Sequence, residues 1–233
     1  MSYPSTTSTM HTITNFCALA LLFSPVIAVT IDEINGNRFL SAYKGQDISN
    51  IDGLVTAKSS SGFYLRSTSP DTDNRSSESI YVYDSEAISQ VSVGDFISLS
   101  GTVSEYRSSS SYVYMTEIIS PSKIGVSSSD NEVVPVVIGE NGLMPPTEQF
   151  SSLDDGDVYS LPNNASQISN ENPLLQPSTY GMDFWESLSG ELATLTGLRA
   201  IAKPNQYGDT WVVGDWPSTG GNERGGLTMT ANG

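Results

Sequence analysis

Tyr64, Arg66, Tyr81 and Tyr83 stand at alternate positions of two short β-branched and aromatic runs, so all four fall on one face of a pleated surface. With Tyr112 or Tyr114 added from a third run, the row has the chemistry of a binding face, since an aromatic ring stacks on a nucleobase with roughly 1–3 kcal/mol. The same spacing also serves cross-strand packing between tyrosines, and the row alone does not choose between ligand and neighbour.

Acidic side chains form a second set. Asp71-Thr72-Asp73-Asn74 and Asp154-Asp155-Gly156-Asp157 offer the hard oxygen atoms that Ca²⁺ prefers. Counted from Asp71, however, the sixth position is Ser76 where a calcium loop needs Gly, and the twelfth is Val82 where it needs a bidentate Glu. Both read as solvated acidic loops, and no metal ligand or catalytic residue is assigned. Two carboxylates working together on a glycosidic bond must face each other across about 5–10 Å, which sequence spacing does not fix.

The chain carries 26 Asp+Glu against 10 Lys+Arg, a net charge of −16, over 233 residues. Duplex binding depends on Lys and Arg displacing counterions, so this balance opposes duplex DNA and leaves single-stranded nucleic acid or a glycan as weakly held partners. Residues 1–28 contain no Asp, Glu, Lys or Arg, and Phe16 to Ala28 is a 13-residue apolar run. A spanning helix needs about 20 apolar residues. The run therefore reads as a secretory leader cleaved after Val26-Ile27-Ala28, which predicts a secreted, extracellular protein with no membrane partner.

His11 and Cys17, the one His and the one Cys, both lie in that leader. The remainder then has no thiolate nucleophile, no imidazole base, no disulfide and no zinc site made of these residues. No cofactor is expected in this chain. Asn74-Arg75-Ser76 and Asn164-Ala165-Ser166 are glycosylation sequons, with Asn74 and Asn164 as the acceptors.

These residues are positioned by an all-β pattern, with short runs punctuated by Gly, Ser and Asp and no sustained 3.6-residue period. Strands are predicted at Ile51 to Ala57, Gly62 to Ser67, Ile80 to Tyr83, Asp95 to Tyr106 and Tyr112 to Ile119, with a short helix within Ser85 to Val93. Five strands with that interruption suit an OB-like barrel over residues 29–119. Phe63, Leu65, Ile80, Val82, Ile97, Leu99, Gly101 and Val103 should point inward. Residues 120–180 read as an irregular linker, with Pro135 confining Val133 to Ile138 to an edge strand. Residues 181–233 read as an incomplete second OB-like β domain, with strands at Gly190 to Ala202 and Asp209 to Gly214. Leu198 to Lys203 and Gly208 to Val212 echo Leu54 to Lys58 and Gly62 to Leu65.

Three segments carry a family resemblance: Asp183-Phe184-Trp185-Glu186-Ser187-Leu188-Ser189-Gly190, Gly208-Asp209-Thr210-Trp211-Val212-Val213-Gly214-Asp215 and Asn222-Glu223-Arg224-Gly225-Gly226-Leu227. With Ile51-Asp52-Gly53-Leu54-Val55-Thr56 and Val93-Gly94-Asp95, they make residues 30–233 similar to the N-terminal region of large secreted nucleases of the endonuclease/exonuclease/phosphatase family. The resemblance implies an OB-like accessory region that precedes a metal-dependent catalytic domain and orients or recruits its substrate. That domain's paired His residues have no counterpart after residue 28, so no catalytic residue carries over. The expectation is a chain that continues beyond Gly233 into a downstream nuclease domain. The alternative is a stand-alone secreted OB-like module that binds a glycan or a protein.

Overall fold

The computed structural model describes residues 29–110, 112–147, 150–154, 166–218 and 220–228. The expected leader, with Cys17 and His11, lies outside the described residues, as does Asn164.

The first element comes from a local signal. Thr30 Oγ1 accepts from the Glu33 amide at 3.4 Å while Glu33 Oε2 accepts from the Thr30 amide at 3.0 Å, a reciprocal cap that starts helix α1, Ile31–Asn35. Its Ile31 and Ile34 are buried and join the main core. Asn35 Nδ2 anchors the helix by donating to the carbonyls of Ser77 at 2.7 Å and Ser79 at 2.9 Å.

Five strands follow: β1 (Asp47–Lys58), β2 (Gly62–Arg66), β3 (Ser79–Tyr83), β4 (Phe96–Tyr106) and β5 (Met115–Ser128). Hydrogen-bonded pairing runs β1, β2, β3, β5, β4 and back to β1, which closes the five strands into a barrel. The β3–β5 pairing is parallel and the other four are antiparallel. A single 3₁₀ turn, Ala87–Gln90, lies between β3 and β4 within the span expected for a short helix.

Alternation decides what fills the barrel. Phe63, Leu65, Ile80, Val82, Ile97, Leu99 and Val103 are all buried, joined by Ile51, Val55 and Ile118. Each such side chain contributes about 1.5–3 kcal/mol by leaving water. Gly101 has a packing reason as well: a Cβ there would stand 2.3 Å from Ile118 Cγ2.

Two strands are longer than their sequences suggest. β1 begins at Asp47 because Asn50 adopts φ 59°, and the register against β4 shifts between Ile48 and Ile51. β5 starts at Met115, leaving Tyr112 and Tyr114 in the preceding loop, and runs past Ile119 to Ser128. Pro121 gives no amide to the ladder there, and the left-handed Ser120 and Lys123 make irregularities that bend β5 around β4.

Beyond Ser128 the described strands form two small sheets. β6 (Val136–Ile138) starts immediately after Pro135 and pairs in parallel with β7 (Ala193–Leu195). β8 (Arg199–Ala200) and β9 (Val212–Val213) form an antiparallel pair. The single strand expected over Gly190 to Ala202 is therefore divided into β7 and β8, because Gly197 turns at φ 58° against the Asp215 side chain. Helices α2 (Ser166–Glu171) and α3 (Gly181–Glu186) complete the elements.

Helices α2 and α3 and the segment around Ser189 to Glu191 lie against the first half of the chain. Phe39, Ile168 and Leu175 make a second buried cluster with Val113, Leu153 and Met182 around it. Asn172 Oδ1 accepts from the Leu40 amide at 2.9 Å, and Arg38 Nη1 donates to the Asn172 carbonyl at 2.6 Å. Ser77 Oγ donates to the Ser189 carbonyl at 2.7 Å. Among the described residues no helix is long and apolar enough to cross a membrane.

Candidate ligand-binding site

The tyrosine row becomes a three-dimensional site through register. Tyr64 on β2 pairs with Tyr81 on β3, Tyr81 pairs with Glu117 on β5, and Glu117 pairs with Ser104 on β4. One line of outward positions thus crosses four strands. The Tyr64 and Tyr81 ring centroids are 4.8 Å apart, and those of Tyr81 and Tyr83 are 6.5 Å apart. Both pairs are tilted, within the separations that aromatic pairs favour.

Tyr81 is the fixed member. It is only 7% exposed although it faces away from the core. Its ring lies over Gly62, where a Cβ would stand 2.7 Å from ring carbon Cζ and from Oη. Hydrogen bonds join its hydroxyl to Ser59 Oγ at 2.8 Å and Ser61 Oγ at 3.0 Å, both in the turn between β1 and β2. Tyr83 and Tyr106, each more than half exposed, rise beside this buried ring.

Ser61, Tyr81, Tyr83, Tyr106, Met115 and Glu117 together line a recess of about 270 Å³. That is slightly below the range of ligand pockets, roughly 300 to 1,000 Å³, and suits a small group. Glu117 is 4% exposed. Burial raises its carboxyl above the ordinary range, and the nearby Glu105 charge adds to the effect. Burial also raises the Tyr64 hydroxyl, with Tyr81 contributing. A second recess of about 270 Å³ shares Met115 and is bounded by Tyr64, Thr56 and the Gly190 to Leu192 segment.

The remaining residues of the expected face have other partners. Arg66 Nε donates to Glu191 Oε2 at 2.9 Å. Tyr114 lies between two cations, with Arg107 Cζ 4.4 Å and Lys44 Nζ 5.2 Å from its ring centroid. Tyr112 is exposed and does not line the recess. Tyr106, Met115 and Glu117 were not singled out in the sequence. The alternation of Met115 with Glu117 was there to be read, but its meaning depended on the parallel β3–β5 pairing.

A cavity of about 420 Å³ lies between the β2–β3 loop and the segments carrying Val136, Leu143 and Phe184. Several of its charges are paired within the protein, although the buried Glu78 Oε2 has no hydrogen-bond partner among the described residues. Asp71 Oδ1 accepts from the Asp73 amide, Asp73 takes both Nε and Nη2 of Arg75 at 2.7 and 2.6 Å, and Glu78 Oε1 accepts from the Asp71 amide. The Arg75 guanidinium holds the Asp73 carboxyl below its ordinary range, whereas burial pushes Glu78 up. Asn74 is exposed at the rim of this cavity. Among the described residues no group of three or more His, Cys, Asp or Glu side chains is placed to hold a metal ion.

Besides Glu78, the carboxyls of Glu105, Glu117, Asp183 and Glu186 are raised. Burial leads in every case. For Glu186, with the Glu105 and Asp183 charges added, it reaches about 8. Asp183 Oδ2 accepts from the Gln176 amide at 2.8 Å while its buried Oδ1 has no hydrogen-bond partner.

No curated protein and no solved structure matches the chain. Residues 137–233, less than half of the chain and none of its barrel, match a family described as a domain of unknown function (DUF8508).

Proposed function

We propose that this chain is a secreted, non-catalytic binding module whose OB-like barrel takes its ligand in the tyrosine recess. One observation carries the reading: the recess is bounded by the β1–β2 turn, by β3, and by residues flanking the β4–β5 loop. OB barrels bind oligonucleotides and oligosaccharides around the corresponding face and loops. The strand order, the parallel β3–β5 pairing and the short helical turn between β3 and β4 support the OB-like assignment. A ring held from both sides and flanked by exposed rings suits recognition.

The test is a two-dimensional NMR titration of tyrosine-labelled protein with oligosaccharides, single-stranded oligonucleotides and small organic cations. Shifts at Tyr81, Tyr83 and Tyr106 that vanish in a Tyr83→Ala/Tyr106→Ala double variant are expected. Unmoved ring signals across all three ligand classes would remove the reading.

A second reading, an accessory region of a secreted nuclease, draws support from where the resembling segment lies. Residues 183–190 pack against the barrel through the Ser189 carbonyl bonded to Ser77 Oγ. Barrel and segment would then travel together as one substrate-recruiting unit beside a catalytic domain. Stimulation of such a domain's single-strand cleavage by this chain in cis, absent in the Tyr83→Ala/Tyr106→Ala variant, is the outcome that distinguishes it.

A further inference from the structure

Glu117 is a buried carboxylate without a resident counter-charge. It lines the recess, the residue is 4% exposed, and its carboxyl group, whose oxygens are not fully closed off from solvent, receives no hydrogen bond or ion pair from any described residue. Holding such a group ionised is costly here, and burial together with the Glu105 charge already raises its carboxyl; a positive partner in the recess would offset that cost. The cation closest in sequence to the recess is already engaged: Arg107 sits 4.4 Å over the Tyr114 ring and donates from Nη1 to the Ser110 carbonyl at 3.2 Å. The remaining lining is Tyr81, Tyr83, Tyr106, Met115 and the Ser61 edge.

Aromatic faces carry negative quadrupoles and attract cations that shed water readily, quaternary ammonium above all. A phosphate would meet the Glu117 charge and a chain of net charge −16, and both repel it. A divalent metal would find one carboxylate where it needs several oxygen ligands. A sugar would need converging donors and acceptors, whereas this lining is mostly ring, thioether and one anion. We propose that the recess binds an alkylated ammonium group, with Glu117 supplying the counter-charge and the rings of Tyr81, Tyr83 and Tyr106 enclosing its methyl groups. This rests on the binding-module reading above and names the chemistry of the ligand.

The experiment titrates the whole chain with choline, with Nα-acetyl-trimethyllysine amide and with 3,3-dimethylbutan-1-ol, which keeps choline's shape but replaces nitrogen by carbon. Calorimetry gives affinity, and tyrosine ring signals report the location. Choline or the lysine derivative should bind about tenfold more tightly than the neutral isostere, in line with a desolvated cation–π site. The tighter of the two identifies the source as a free headgroup or a modified side chain. Glu117→Gln should abolish the preference without lowering the melting temperature, and Tyr83→Phe should keep it. Equal binding of choline and the isostere with shifted ring signals, or a Glu117→Gln preference equal to wild type, overturns the cation assignment and leaves the binding-module reading standing. Ring signals unmoved by all three probes overturn the cation assignment and count against the recess itself.

Discussion

Arg66 on β2 donates from Nε to Glu191 Oε2 at 2.9 Å, joining the barrel wall to the segment after α3 across 125 positions of sequence. The Glu191 side chain is only 4% exposed and the Arg66 side chain 28%. Arg66→Ala strands a desolvated carboxylate, with an expected cost of about 1–3 kcal/mol. Denaturant unfolding should show the lowered midpoint, and limited proteolysis should cut first in residues 187–195 while the barrel stays protected. Unchanged cleavage in that segment would show that the pair does not hold it.

Gly62→Ala tests how the recess floor is built. The new Cβ would stand 2.2 Å from the Val82 carbonyl oxygen and 2.7 Å from the Tyr81 ring. Either β3 or the ring must move, at about 1–3 kcal/mol as in overpacked cores. A lowered melting temperature together with shifted Tyr81 ring signals is the expected pair of results. Loss of stability with Tyr81 unmoved would place the strain in the backbone alone.

The stability of the fold should decline as pH rises from the ordinary carboxylate range. Glu186 titrates near 8 in the folded chain against 4.5 in a free carboxyl. Below 4.5 both folded and unfolded chains hold the proton, and the group exerts no bias. Between 4.5 and about 8 the folded chain binds more protons than the unfolded one, so each step up in pH favours unfolding. Glu186→Gln removes this bias. The variant should match wild type in melting temperature at pH 4 and exceed it progressively toward pH 8. Parallel curves across that range would dismiss the effect.

Residues 29–233 should not nick supercoiled plasmid in Mg²⁺, Mn²⁺ or Ca²⁺. After residue 28 the chain has neither His nor Cys, and its described acidic residues form no cluster for a metal ion. Gel assays against an EDTA control decide the matter, and metal-dependent nicking would refute the non-catalytic assignment.

The barrel was legible because its signals are local. Phe63, Leu65, Ile80 and Val82 alternate with polar or aromatic neighbours, and this parity alone sends them inside. The helix at Ile31–Asn35 was legible too but passed unread, since Thr30 and Glu33 spell a capping box. The late end of β5 was not readable: Ser120-Pro121 marks a break in any local pattern, and only pairing with β4 carries the strand through it. The candidate site was half visible. Tyr64, Tyr81 and Tyr83 follow from alternation, whereas Glu117 joins them through a parallel pairing between strands separated by an entire further strand. Arg66 shared their face, but its partner Glu191 lies far along the chain and no periodicity points to it.

The clamp between Asn172 and the Arg38 to Leu40 segment sets an order of assembly. Every barrel strand is complete by Ser128, so the chain can close its five-stranded core before residue 172 finds its place. The later pieces, α2, α3 and the segment up to Glu191, then rest on a finished scaffold and hold few buried apolar groups of their own. Long-range joints of this kind form slowly and open at lower free energy than the core they lean on. Residues 166–195 are thus expected to dock last and open first, with the tyrosine recess floor held apart from that opening by its bonds to the β1–β2 turn.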